Sequence, residues 1–119
     1  QLKLQADVVG RVAQHPNIIG MKDSSGDAKG VKEILAAVPK NFQMLVGAVS
    51  VLHEALQMGG VGAILAVACA FPEMCVEAYE ASRAGDAARA TATQQKLVSA
   101  ANLFGPKYGI AGLPSFAGG

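Results

Sequence analysis

HPNIIGMKDSSGD, residues 15–27, is the stretch on which the fold turns. Pro16 pushes the residue before it out of the α region, so any helix that arrives there must stop. Ile18-Ile19-Gly20-Met21-Lys22 follows as an apolar run too short for a helix and without polar alternation. It predicts a strand buried on both faces, as in a parallel sheet. Asp23-Ser24-Ser25-Gly26-Asp27 is turn chemistry ending in an aspartate suited to cap a helix. The whole stretch therefore predicts one βα unit.

Working outward, Leu4, Val8, Val9, Val12 and Ala13 recur at helical spacing, and His15-Pro16-Asn17 closes that helix. On the other side Val31, Ile34, Leu35 and Val38 mark the buried stripe of a helix ended by Pro39. Residues 42–47 (FQMLVG) predict a second strand, and Val51, Leu52, Ala55, Leu56 and Met58 a helix stopped by Gly59-Gly60. Residues 62–67 (GAILAV) predict a third strand. Pro72 suits a first helical turn, Met74, Val76, Ala78 and Tyr79 carry that helix to Gly85, and Asp86 caps a long one reaching about Phe104. Residues 105–119 are rich in Gly and Pro, have no period, and are expected to be an irregular tail.

Strand and helix thus alternate three times, with one further helix, which is α/β architecture with parallel strands. An open doubly wound sheet and a (β/α)8 barrel share this pattern. Length separates whole barrels from parts, since a complete barrel needs ~250 residues and this chain has 119.

Composition narrows the function. Apolar residues make up 51% of the chain and aromatic ones 5%, so the core must be close-packed Ala, Val, Leu and Ile. The 10 Lys and Arg are scattered among 9 Asp and Glu, which speaks against a basic face for nucleic acid. Residues 61–71 form the most apolar window, about half the ~20 residues a membrane-spanning helix needs, and are expected to be a buried strand. With no leader-like start, the expected compartment is the cytosol. Cys69 and Cys75 match no redox or zinc spacing and are expected to be small buried hydrophobes, with no metal and no cofactor. The Gly59-Gly60-Val61-Gly62 cluster precedes a strand and lacks the G-x-G-x-x-G or G-K-[ST] pattern of a phosphate cradle. Neither His15 nor His53 is given a role.

Lys22 closes an otherwise apolar strand. Burial there disfavours the ammonium form, and a neutral amine is what attack on a carbonyl requires. The C-terminal ends of parallel strands are also where α/β folds place their ligands. The plainer alternative is a lysine that snorkels to solvent or pairs with Asp23 or Asp27.

Residues 15–27 resemble the lysine strand of the dihydrodipicolinate synthase and N-acetylneuraminate lyase family of class I pyruvate-dependent aldolases. Leu45-Val-Gly-Ala48, Met58-Gly-Gly-Val-Gly-Ala-Ile64 and Phe71-Pro-Glu73 look like the next strand, the turn into the last strand and the start of the last barrel helix. The resemblance spans about residues 4–113. Within the family, residues 15–24 and Tyr108-Gly-Ile-Ala-Gly-Leu113 look most like its 4-hydroxy-2-oxoglutarate aldolase branch.

This resemblance implies a partial (β/α)8 barrel: residues 1–104 as about three C-terminal βα units plus an extra helix, then the tail. It implies Lys22 as the Schiff-base nucleophile, Ser24 as a hydrogen-bonding partner of a 2-oxo acid, Gly47 as a backbone approach to it, and Ile64 as a wall of its pocket. Plainer roles are loop satisfaction for Ser24, relief of crowding for Gly47 and simple core for Ile64. Ala48 and Val49 stand where synthases of the family commonly carry polar residues. The family's proton-relaying tyrosine and carboxylate-binding hydroxyl motif have no counterpart here, Tyr79 and Tyr108 lying in other segments. The expectation is a chain nearly inactive alone, belonging to a homo-oligomeric enzyme. The alternative is a non-catalytic 2-oxo acid sensor or scaffold of the same fold.

Overall fold

The computed structural model describes residues 3–104. Helix α1 (Ala6–Val12) is followed by β1 (Gly20–Asp23), α2 (Ala28–Ala37), β2 (Gln43–Val46), α3 (Leu52–Gln57), β3 (Gly62–Ala63), α4 (Pro72–Arg83) and α5 (Ala87–Ala101). Short 3-10 turns precede α3 at Val49–Val51, follow β3 at Ala66–Cys69 and close α5 at Asn102–Phe104. The strands form one parallel sheet in the order β1-β2-β3, with Lys22 opposite Leu45 and Leu45 opposite Gly62. This is the expected α/β pattern of a barrel segment.

Period-two alternation divides the sheet into two faces. Met44 and Val46 are fully buried and join Val31, Ile34, Leu52, Ala55 and Leu56 in the core beneath the helices. Gln43, Leu45 and Gly47 point the other way. Gly10 lets α1 close on α2, because a Cβ there would lie 2.7 Å from the Ala37 carbonyl. Pro72 occupies the first turn of α4, Gly85 takes φ +74° after its end, and Asp86 caps α5 by accepting from the Arg89 amide at 3.1 Å.

Several expectations need correction. In α1 only Val9, with Ala13 just beyond the helix, is buried, while Leu4, Val8 and Val12 are exposed. The run before Lys22 is not buried on both faces, and Ile19 is 69% exposed. β1 is an edge strand, and among the described residues no layer covers the sheet's second face. The third strand is two residues long instead of the expected six of 62–67. β2 stops offering partners once Val46 has accepted from the Ile64 amide at 2.9 Å, so the chain leaves the ladder and winds into a 3-10 turn. Within 61–71 only Val67 is deeply buried. Cys69 ends that turn at the surface and so is not buried, whereas Cys75 is half-buried against the core, where burial pushes its thiol pKa up. Among the described residues, no helix is long and apolar enough to cross a membrane.

Candidate active site at the strand ends

Lys22 and Ser24 leave β1 on the open face, two residues apart and hence on the same side. Leu45 of β2 and Gly62 of β3 share that face, because register partners in a parallel pair point the same way, and alternation carries it on to Gly47 and Ile64 just past the two strand ends. Lys22, Ser24, Gly47 and Ile64 are therefore brought to one face at the C-terminal ends of adjacent strands.

Gly47 is the pivot of the group. A Cβ there would stand 2.1 Å from Ser24 Oγ and 2.6 Å from Lys22 Cε. Both side chains lie across the space that any other residue would fill, so a larger residue there would have to push Ser24 and Lys22 aside. Its amide donates to the Asp23 carbonyl at 2.7 Å, continuing the ladder and holding the two strand ends together.

The plainer role for Ser24 is not what the loop shows. Asp23 and Ser25 satisfy the loop amides: Asp23 Oδ1 accepts from the Ser25 amide at 2.7 Å, and Ser25 Oγ from the Asp27 amide at 3.2 Å. Among the described residues Lys22 makes no ion pair either. Asp27 is engaged by Lys3, which also turns the carboxylate from the strict capping bond expected of it at the start of α2.

The desolvated setting expected for Lys22 is absent from these residues, since its side chain is exposed. The cause is the uncovered face and free edge of β1. Ile64 is 55% exposed for the same reason, so it is not core within residues 3–104. Two open cavities flank the cluster. One of about 300 Å³ runs along β1 past Leu4, Met21, Lys22 and Ser24. The other, of about 340 Å³, lies between Gly47–Ser50, Leu65–Val67 and the end of α5 at Val98, Ala101 and Asn102. Among the described residues no three His, Cys, Asp or Glu gather as a metal site would require.

Tyr79 stands apart from the cluster, its hydroxyl donating to the Val61 carbonyl at 3.4 Å, just before β3 begins. The segment around Tyr108 lies outside the described residues. A network that the sequence left unread fastens α5 behind the site. Gln94 Oε1 accepts from the His53 amide at 2.7 Å and Gln94 Nε2 donates to the Ser50 carbonyl at 3.0 Å. His53 Nδ1 meets Ser82 Oγ at 3.0 Å, and Gln57 donates to the Ser82 carbonyl. No spacing rule flags such a set, because its partners lie on three different helices.

A family model described as the dihydrodipicolinate synthetase family matches residues 1–110. A 4-hydroxy-tetrahydrodipicolinate synthase from Methanoculleus marisnigri is 38% identical over 95 residues, covering 79% of this chain and 33% of the relative. One from Pseudomonas putida is 36% identical over 95 residues, covering 80% of this chain and 32% of its own. Among solved structures, a putative dihydrodipicolinate synthase from Thermus thermophilus superposes with TM-score 0.82 at 32% identity, covering 92% of this chain and 38% of that one. A prophage protein of the dihydrodipicolinic acid synthase family from E. coli, in complex with pyruvate, gives TM-score 0.78 at 29% identity over 86% of this chain and 36% of that one. The chain spans about a third of the length of the curated relatives it matches.

Proposed function

The chain belongs to the dihydrodipicolinate synthetase family, and on that premise we propose that it carries the imine-forming lysine of an aldolase or lyase acting on pyruvate or a related 2-oxo acid. The observation that carries this reading is the convergence of Lys22 and Ser24 over Gly47 at the mouth of a parallel sheet.

In this chemistry the neutral Lys22 amine adds to the keto carbon, and the adduct takes up one proton from the general acid/base or from solvent as it loses water, forming a protonated imine. The imine draws electron density from the adjacent carbon, so a carbon–carbon bond there can be made or broken without a free carbanion. Ser24 supplies a hydroxyl to the bound acid, Gly47 lets the acid approach the backbone, and Ile64 gives it an apolar wall. The relatives are more than twice as long. The general acid/base, worth ~10²–10⁴-fold, and the carboxylate-binding groups belong in this reading to the part they have in addition, and the residues described here act weakly or not at all by themselves. The full enzyme is a cytosolic homo-oligomer needing no cofactor.

The exposure of Lys22 favours a second reading, a sensor that holds a 2-oxo acid without condensing with it. Borohydride reduction in the presence of pyruvate separates the two. The aldolase reading expects a stable adduct mapped to Lys22 and lost in Lys22→Ala. Saturable pyruvate binding with no adduct would establish the sensor instead.

A further inference from the structure

We infer that Asp23 is a positioning residue for the substrate-facing hydroxyl of Ser24, an inference that rests on the proposed 2-oxo acid chemistry at Lys22. Asp23 is the last residue of β1 and alternates away from Lys22, so its carboxylate does not share the open face. Its side chain instead folds the loop. Asp23 Oδ1 accepts from the Ser25 amide at 2.7 Å and from the Ser25 hydroxyl at 2.5 Å. Ser25 Oγ in turn accepts from the Asp27 amide, and Gly26 takes φ +71°, which lets the chain reverse into α2. Meanwhile the Asp23 main chain is tied to β2 through the Gly47 amide.

Ser24 is thus enclosed between two fixed points set by one residue. The backbone of Asp23 anchors it to the strand carrying Gly47, and the carboxylate of Asp23 bends the next residue back. The result is a hydroxyl held over Gly47 beside Lys22, with no hydrogen bond of its own among the described residues. Asparagine keeps the acceptor oxygen that the turn uses, whereas alanine removes it. A turn-holding role is therefore separable from a role for the negative charge.

The test measures, in the full-length protein, the pyruvate concentration that half-saturates borohydride trapping at Lys22, alongside the melting temperature. Ser24→Ala is expected to raise that concentration about tenfold, the effect of one hydrogen bond to a charged ligand. Asp23→Ala should raise it by a similar factor, Asp23→Asn should restore it, and the Asp23→Ala/Ser24→Ala double variant should be no worse than Ser24→Ala. An Asp23→Ala protein that melts earlier but traps pyruvate normally overturns the inference, as does an Asp23→Asn protein as impaired as Asp23→Ala, or full additivity in the double variant. Absence of any adduct in the unaltered protein would instead sink the imine reading itself.

Discussion

On the helix-facing side of β2, Met44 and Val46 are fully buried among aliphatic neighbours; on its other side Leu45 and Gly47 stand beside Lys22, Ser24 and the half-exposed Ile64. One strand thus carries two kinds of constraint. On the first face identity follows from volume, because a close-packed interior feels every methylene. On the second it follows from what must pass or meet there, and the residue under the tightest restriction is the one with no side chain at all.

Substitutions along these strands can break or sharpen that contrast. Met44→Ala is expected to cost the most, about 2–5 kcal/mol in urea unfolding, as a buried truncation leaving a cavity does. A cost below that of an open-face change would end the distinction. Gly47→Ala should follow at about 1–3 kcal/mol, because the new methyl must displace Ser24. It should also weaken pyruvate trapping at Lys22, whereas Met44→Ala should leave trapping in the remaining folded protein unchanged. Gln94→Ala tests whether the α5 attachment belongs with the core: losing the part-buried bond from the His53 amide and the exposed one to the Ser50 carbonyl should cost about 0.5–1.5 kcal/mol. Ile64→Ala should change stability by less than about 0.5 kcal/mol, as surface truncations do, and a core-sized loss would mean that Ile64 packs as Met44 does.

The smallest effect concerns Asp27 and Lys3. The hydrogen-bonded Lys3 ammonium holds the Asp27 carboxyl below its ordinary value of 3.8. Lys3 is raised above 10.5, chiefly by its hydrogen bond to Asp27. A depressed acid stabilises the fold above its unfolded pKa and loses that contribution as pH falls through the folded one. A raised base contributes fully below 10.5 and loses it as pH climbs through its folded value. Asp27→Asn should therefore flatten stability slightly at both ends of a pH series, and salt should shrink the difference, since both groups are exposed.

Local chemistry made much of this legible beforehand. Pro72, Gly85 and Asp86 mark helix ends because the forces involved act over a few residues. Lys22 stands out for the same reason, as a charge closing an apolar run, whereas Ser24, Gly47 and Ile64 stand out only through the family resemblance. What could not be read depends on distant neighbours. β3 is short because β2 runs out of partners, and Ile19 is exposed because it leads into an edge strand. Gln94 has hydrogen-bond partners 41 and 44 positions away, a pairing to which no periodicity points. The expected burial of Lys22 failed similarly: a strand's own residues do not determine what lies across from it.

The α4 and α5 pair is built largely from small buried residues, Ala78, Ala81 and Ser82 on one helix and Ala90 and Thr93 on the other. Side chains so small let two helices approach closely, while Leu97 of α5 is fully buried and Arg89 of α5 pairs with Glu77 of α4 at 3.2 Å. The carboxamide of Gln94 fixes α5 lengthwise against a different neighbour, α3. It grips an amide and a carbonyl at the root of α3, and a shift of one helical turn, about 5.4 Å in general, would release both at once.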